Sequence, residues 1–240
     1  MRKTKKFAAL FTAGVCLTSA LTGCQILEKA VDEVVTSLVE WDLNSTYLNQ
    51  HDENYLQLCG ITKEEAEASY WEGIGYDVEN FCYYWGIIDG EYVTVADLDT
   101  ELHNRLSEMC SSISQKVKYD VQSASIQDDS SYSVKVVVEP IDIMEQAGIL
   151  YDSETYEPLN DFWAKSETLD FETMTDEEYI AYCNEYGYIM VEMVEELLPK
   201  LGYMEEKSML IQVTEENDVW ELNEDDLGNF YNNVVYYPYE

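Results

Sequence analysis

The sequence predicts an α+β domain: two β-hairpins forming a small antiparallel sheet packed against several helices, in the order ααα-ββ-αα-ββ-α. Two observations carry this. Apolar residues recur at spacings of three and four along most of the chain, the period of a helix with one buried face. In two places, over Lys118–Glu139 and Lys207–Leu222, the period drops to two, the period of a strand. A short hairpin cannot bury its face alone, so the simplest solution joins both hairpins into one four-stranded sheet with the helices on one face.

A helix is expected from Ile26, where Leu27, Ala30, Val31, Val34, Val35, Leu38 and Trp41 form a stripe. Thr62-Lys63-Glu64-Glu65 reads as a capping box, a hydroxyl at the N-cap with a carboxylate three residues on, and opens a helix to about Gly73. Asp77 starts another, with Val78, Phe81, Cys82 and Trp85 on one face and Gly86 beyond. A long helix follows from about Ala96 to Lys116, with Leu98, Leu102, Leu106, Met109 and Ile113 inward. The first hairpin pairs Lys118–Ile126 with Tyr132–Glu139 across the turn residues from Gln127 to Ser131. Pro140 ends the strand and pre-sets a helix that turns Ile141, Met144 and Ala147 inward. Gly148 to Thr173 shows no clear period. A second capping box, Thr175-Asp176-Glu177-Glu178, opens the longest helix, which runs to Pro199. Lys207–Thr214 and Val219–Leu222 make the second hairpin, and Asn223 to Asp226 cap a last short helix.

The N-terminus has a different character. Arg2, Lys3, Lys5 and Lys6 precede an apolar run from Phe7 to Leu21, the layout of a secretory signal, and too short to span a bilayer. Leu21-Thr22-Gly23-Cys24 resembles the lipobox of bacterial lipoproteins. The resemblance implies cleavage between Gly23 and Cys24 and attachment of acyl chains to Cys24. Residues 1–23 are then a signal peptide, and 24–240 a single acidic domain on the extracytoplasmic face of the cell membrane. Only Gln25 separates the lipid from the first helix.

The chain carries 49 acidic and 13 basic residues; removing the signal takes four of the basic ones and leaves a formal charge of −40. With 20 Tyr and 5 Trp interleaved among the acids, this is a folded domain with an acidic skin rather than a disordered tail. Such a surface excludes nucleic acid, whose binding rests on Lys and Arg, and adsorption to anionic lipid. The membrane is reached through the lipid anchor, and the partner left open is an envelope protein or cell-wall polymer. After Cys16 and Cys24 are set aside, Cys59, Cys82, Cys110 and Cys183 remain. Without a Cys-x-x-Cys pair a zinc site is not expected, and buried thiols are favoured over disulfides.

The sequence offers no catalytic set, cofactor motif or metal motif. His51 and His103 stand in no nucleophile motif. Asp97, Asp99, Glu101 and Glu108 mimic calcium-loop spacing, but Leu102 stands where the loop needs glycine, and the same acids suit a helix start. The surplus aromatics are the candidate binding residues: Trp85, Trp163, Tyr182 and Tyr186, as a stacking surface or a pocket lining.

Read together, Gly60-Ile61-Thr62-Lys63-Glu64-Glu65-Ala66, Ser114 to Val121, Val138 to Ile143, Thr175 to Tyr179 and Leu198 to Tyr203 resemble uncharacterised lipoproteins of low-GC Gram-positive bacteria. That resemblance implies no assigned activity and no catalytic residues. A looser similarity is to the NTF2-like (cystatin-like) fold, in which a curved sheet wraps a helix; here a long helical segment separates the hairpins. The expected function is a non-catalytic binding domain. The alternatives are a small-ligand receptor with an aromatic pocket, and an enzyme using a buried carboxylate or His51.

Overall fold

The computed structural model describes residues 15–16, 26–128, 131–153, 155–216 and 219–238. Gly23 and Cys24, the expected cleavage and lipid positions, lie outside the described residues. The fold is α+β, and the chain divides into two compact units.

The first unit comprises Met1–Tyr70, Val117–Pro140 and Met204–Val235. Its sheet is antiparallel, ordered β1-β5-β4-β3-β2, where β1 is the pair Val15–Cys16, β2 Lys118–Asp128, β3 Ser131–Glu139, β4 Lys207–Glu216 and β5 Val219–Leu222. The two hairpins join through β3 and β4, with Val134 opposite Ile211 and Val136 opposite Met209. The alternation expected of strands is present. Val134, Val136, Val138, Ile211 and Val213 are fully buried on one face, while Lys135 and Leu210 on the other are exposed. In β2 the strict period breaks at a bulge between Val121 and Ala124, where the Ala124 N–H donates to Thr36 Oγ1.

Helix α1 (Ile26–Leu48) buries Val35, Leu38, Val39, Leu43 and Tyr47. Val34, expected on its apolar stripe, is instead exposed, because the buried face drifts toward Val39 and Leu43. The helix runs beyond Trp41, and a short helix α2 (Glu53–Cys59) follows from an Asp52 cap. Helix α8 (Glu224–Tyr231) closes the unit; its Phe230 meets Tyr47 at 5.5 Å and Tyr119 at 5.9 Å between ring centres.

Helix α3 (Lys63–Trp85) carries the chain from the first unit into the second. Its capping box forms: the Thr62 N–H donates to Glu65 and the Glu65 N–H to the Thr62 hydroxyl. Two helices were expected here, broken near Gly73, but one is found. Ala66, Tyr70, Ile74, Val78 and Phe81 keep a buried row at helical spacing straight past Gly73 and Gly75. Each glycine costs a helix only ~1 kcal/mol, which that burial outweighs.

The second unit comprises Trp71–Lys116, Ile141–Tyr203 and Tyr236–Glu240. It holds α4 (Thr100–Ser114), α5 (Ile143–Asp152), α6 (Glu157–Ser166) and α7 (Asp176–Leu197). The expected inward rows of α4 and of the segment after Pro140 are buried. Asp99 is the N-cap position of α4 and Glu101 lies in its first turn, so the calcium-like spacing belongs to a helix start. The α6 helix falls in the stretch that shows no clear period, because only Leu159 and Phe162 carry its apolar side. Cys82, Cys110 and Cys183 are buried free thiols, and Cys59 is a half-buried one.

Candidate functional site on α7

The four aromatic residues singled out from the sequence come together in the second unit. Trp85 packs on Tyr151 (5.5 Å between ring centres), Tyr151 on Trp163 (6.4 Å), and Trp163 on Tyr186 (5.5 Å). Phe162 then stacks on Tyr186 at 5.2 Å and meets Tyr182 at 4.8 Å. Tyr151 and Phe162, which link the four, lie in the stretch without period, which leaves their direction unreadable from sequence. Phe162 and Tyr186 are buried, whereas Trp163 is 37% exposed and Phe171, edge-on to Tyr182, is 48% exposed. Burial pushes the Tyr186 hydroxyl well above the ordinary phenol range, helped by the neighbouring Tyr151. The indole N–H of Trp85 is buried and has no hydrogen-bond partner among the described residues. The cluster is therefore a packed interior with one aromatic edge in water.

Tyr182, against which Phe171 packs, lines one of two depressions on α7, each of about 450 Å³. The capping box sets the start of this helix: the Glu178 N–H donates to the Thr175 hydroxyl, and the Glu178 carboxylate accepts from the Thr175 N–H and hydroxyl. Those bonds hold the Glu178 carboxyl below the usual carboxylate range. From there the helix presents Glu177, Ala181 and Glu185 outward. One depression is lined by Asp99, Glu177, Ile180, Asn184 and Tyr188, the other by Leu169, Asp170, Met174, Glu178 and Tyr182; Ala181 and Glu185 line both. Asn184, which lines the first, is held in place, accepting from the Asp99 N–H at 2.7 Å and donating to the Ile180 carbonyl at 2.9 Å. The ammonium of Lys165, which also lines the second depression, is paired with Glu185. Of the four sequence candidates, Tyr182 lines a depression, while Trp85, Trp163 and Tyr186 lie in the ring cluster that continues from it.

A second polar cluster, not foreseen from the sequence, lies in the first unit. Asp42 on α1 is buried and accepts from the Tyr55 hydroxyl of α2 at 2.7 Å. Burial pushes its carboxyl up to about 6, with the Tyr55 bond acting the other way. The Cys59 thiol beside Tyr55 is pushed up to about 11 by burial, so it is no ready nucleophile. His51 lies between Ser45 Oγ (2.8 Å from Nδ1) and Asn49 Oδ1 (2.9 Å from Nε2). An amide oxygen can only accept, so Nε2 carries the hydrogen, and in the neutral ring Nδ1 accepts from Ser45. Burial first, and Lys63 to a lesser degree, lower the His51 pKa against the pull of Glu67, in keeping with a neutral ring. These bonds close the turn after α1, where Asn49 adopts the left-handed conformation at φ +54°.

Among the described residues, no group of His, Cys, Asp and Glu is placed to hold a metal ion, and no helix is long and apolar enough to cross a membrane. No protein-family model matches the chain, and no curated protein matches it in sequence. In fold, the chain is similar to the crystal structure of a Bacillus subtilis lipoprotein candidate, ycdA, at a TM-score of 0.58 and 14% identity. The match covers 90% of this chain and 60% of that one, so this chain spans under two thirds of the length of the protein whose fold it shares.

Proposed function

We propose that this protein is a lipid-anchored domain on the extracytoplasmic face of a bacterial membrane, where it binds another envelope component without catalysing a reaction. The observation that carries the anchor is Leu21-Thr22-Gly23-Cys24, preceded by a basic segment and an apolar run and followed at once by α1 from Ile26. The fold likeness to a lipoprotein candidate supports it. The two depressions on α7, one lined by Tyr182 and the other by Tyr188, support the binding role. Mass spectrometry of the native N-terminus tests the anchor. The expected product begins at an acylated Cys24; an unmodified Cys24 or a retained Met1 overturns it.

A small-ligand receptor is a second proposal, favoured by the unpartnered Trp85 indole N–H inside the ring cluster. A ligand that reached it would change the tryptophan emission on binding. Silence across a panel of sugars, amino acids and short peptides removes this proposal.

A further inference from the structure

We infer that the two depressions on α7 receive a cationic peptide segment with apolar side chains, supplied by an envelope protein. This rests on the binding-domain proposal and names its partner's chemistry. The two depressions share Ala181 and Glu185, so they lie side by side along the exposed face of α7. Their apolar lining comes from Leu169, Met174, Ile180 and Ala181. Their carboxylates are Asp99, Asp170, Glu177, Glu178 and Glu185. The opposing charge is the ammonium of Lys165, and Glu185 already pairs with it. Arg105, which lies 6.0 Å from the Tyr188 ring centre, is likewise paired with Glu195. Depressions lined by apolar side chains and a surplus of carboxylates are complementary to alternating basic and apolar side chains. Tyr182 lines one depression and Tyr188 the other, each adding aromatic surface beside the carboxylates. An anionic wall polymer or an acidic partner would meet repulsion at both depressions.

The test uses the full processed chain in nanodiscs of zwitterionic lipid, with empty discs as reference. The probe is a twelve-residue peptide of alternating Lys and Leu, beside its Glu/Leu counterpart. The expected result is binding of the Lys/Leu peptide and none of the Glu/Leu peptide. Ala181 is exposed on α7, so Ala181→Trp obstructs both depressions without changing their charge or disturbing a core; affinity should fall by roughly tenfold or more. Glu177→Gln with Glu185→Gln should produce a similar loss. Glu205→Gln with Glu206→Gln, the same charge change in the other unit, should alter affinity by less than about twofold. Unchanged binding by Ala181→Trp, or an equal loss in the Glu205/Glu206 pair, overturns the depressions as the site. Cross-linking in intact envelopes checks the underlying proposal separately. If wild type and Ala181→Trp are trapped on the same neighbour, the inference from the depressions falls and the binding role stands. If neither is trapped on any neighbour, the binding role itself falls.

Discussion

Asp42 sits on α1 with its carboxyl closed off from water, and the Tyr55 hydroxyl reaches it at 2.7 Å. In the folded chain it titrates near 6, against an ordinary value of 3.8. Between those values the folded chain holds a proton that the unfolded chain has released. The stability from this group is therefore complete below about pH 4 and is lost as pH rises through about 6. The size of the loss is on the order of 3 kcal/mol. Denaturant unfolding followed across that window should show the decline in the wild type and a flatter profile in Asp42→Asn; identical profiles would refute it. Tyr55→Phe removes the one bond that favours the charged form, so Asp42 should titrate still higher, and stability at neutral pH should fall by about 1–3 kcal/mol. None of this is legible in sequence, because Asp42 and Tyr55 stand thirteen residues apart and meet only when α2 folds against α1. The partners of His51 were equally hidden: Ser45 and Asn49 are near in sequence, but their direction depends on how α1 ends.

Single elements were readable where the signal is local. Both capping boxes form as written, since a hydroxyl and a carboxylate three residues apart need nothing beyond their own turn. The hairpins were readable because a period of two survives any packing partner. Helices α2 and α6 were missed because neither reaches three turns and each has few apolar residues to mark a face. The glycines of α3 misled for a different reason, and they separate two kinds of helical glycine. A methyl added at Gly73 or Gly75 meets nothing within 4 Å, so Gly75→Ala should stabilise the protein by about 1 kcal/mol through helix propensity. At Gly187 of α7 the added Cβ lies 2.7 Å from Leu102 Cδ2, and Leu102 is fully buried. Gly187→Ala should therefore destabilise, by roughly 1–3 kcal/mol. Thermal unfolding of the two variants checks both signs, and a shared sign would contradict the packing described.

At the scale of the whole molecule, charge dominates. A formal charge of −36 on 240 residues, with ion pairs as few as Lys63–Glu67, Arg105–Glu195 and Lys165–Glu185 among the described residues, means acids mostly face other acids. Self-repulsion of that kind weakens the compact state and is screened by salt. The melting temperature should rise between low salt and about 0.5 M sodium chloride, where the Debye length falls to roughly 4 Å. A flat response would mean the carboxylates are already compensated. The composition alone announced the acidic surface, but not where it becomes concave, because the two depressions depend on Asp99 and Asp170 being brought beside α7.

Helix α1 starts at Ile26, two positions past the cysteine proposed to carry the acyl chains. Two residues of extended chain reach only ~7 Å. If Cys24 carries the acyl chains, a leash that short would set altitude, not range: α1 and the unit it belongs to would stay close above their own patch of lipid. Neighbours of that unit would have to come to it by lateral diffusion in the membrane, so encounters would be governed by surface density rather than by concentration in solution.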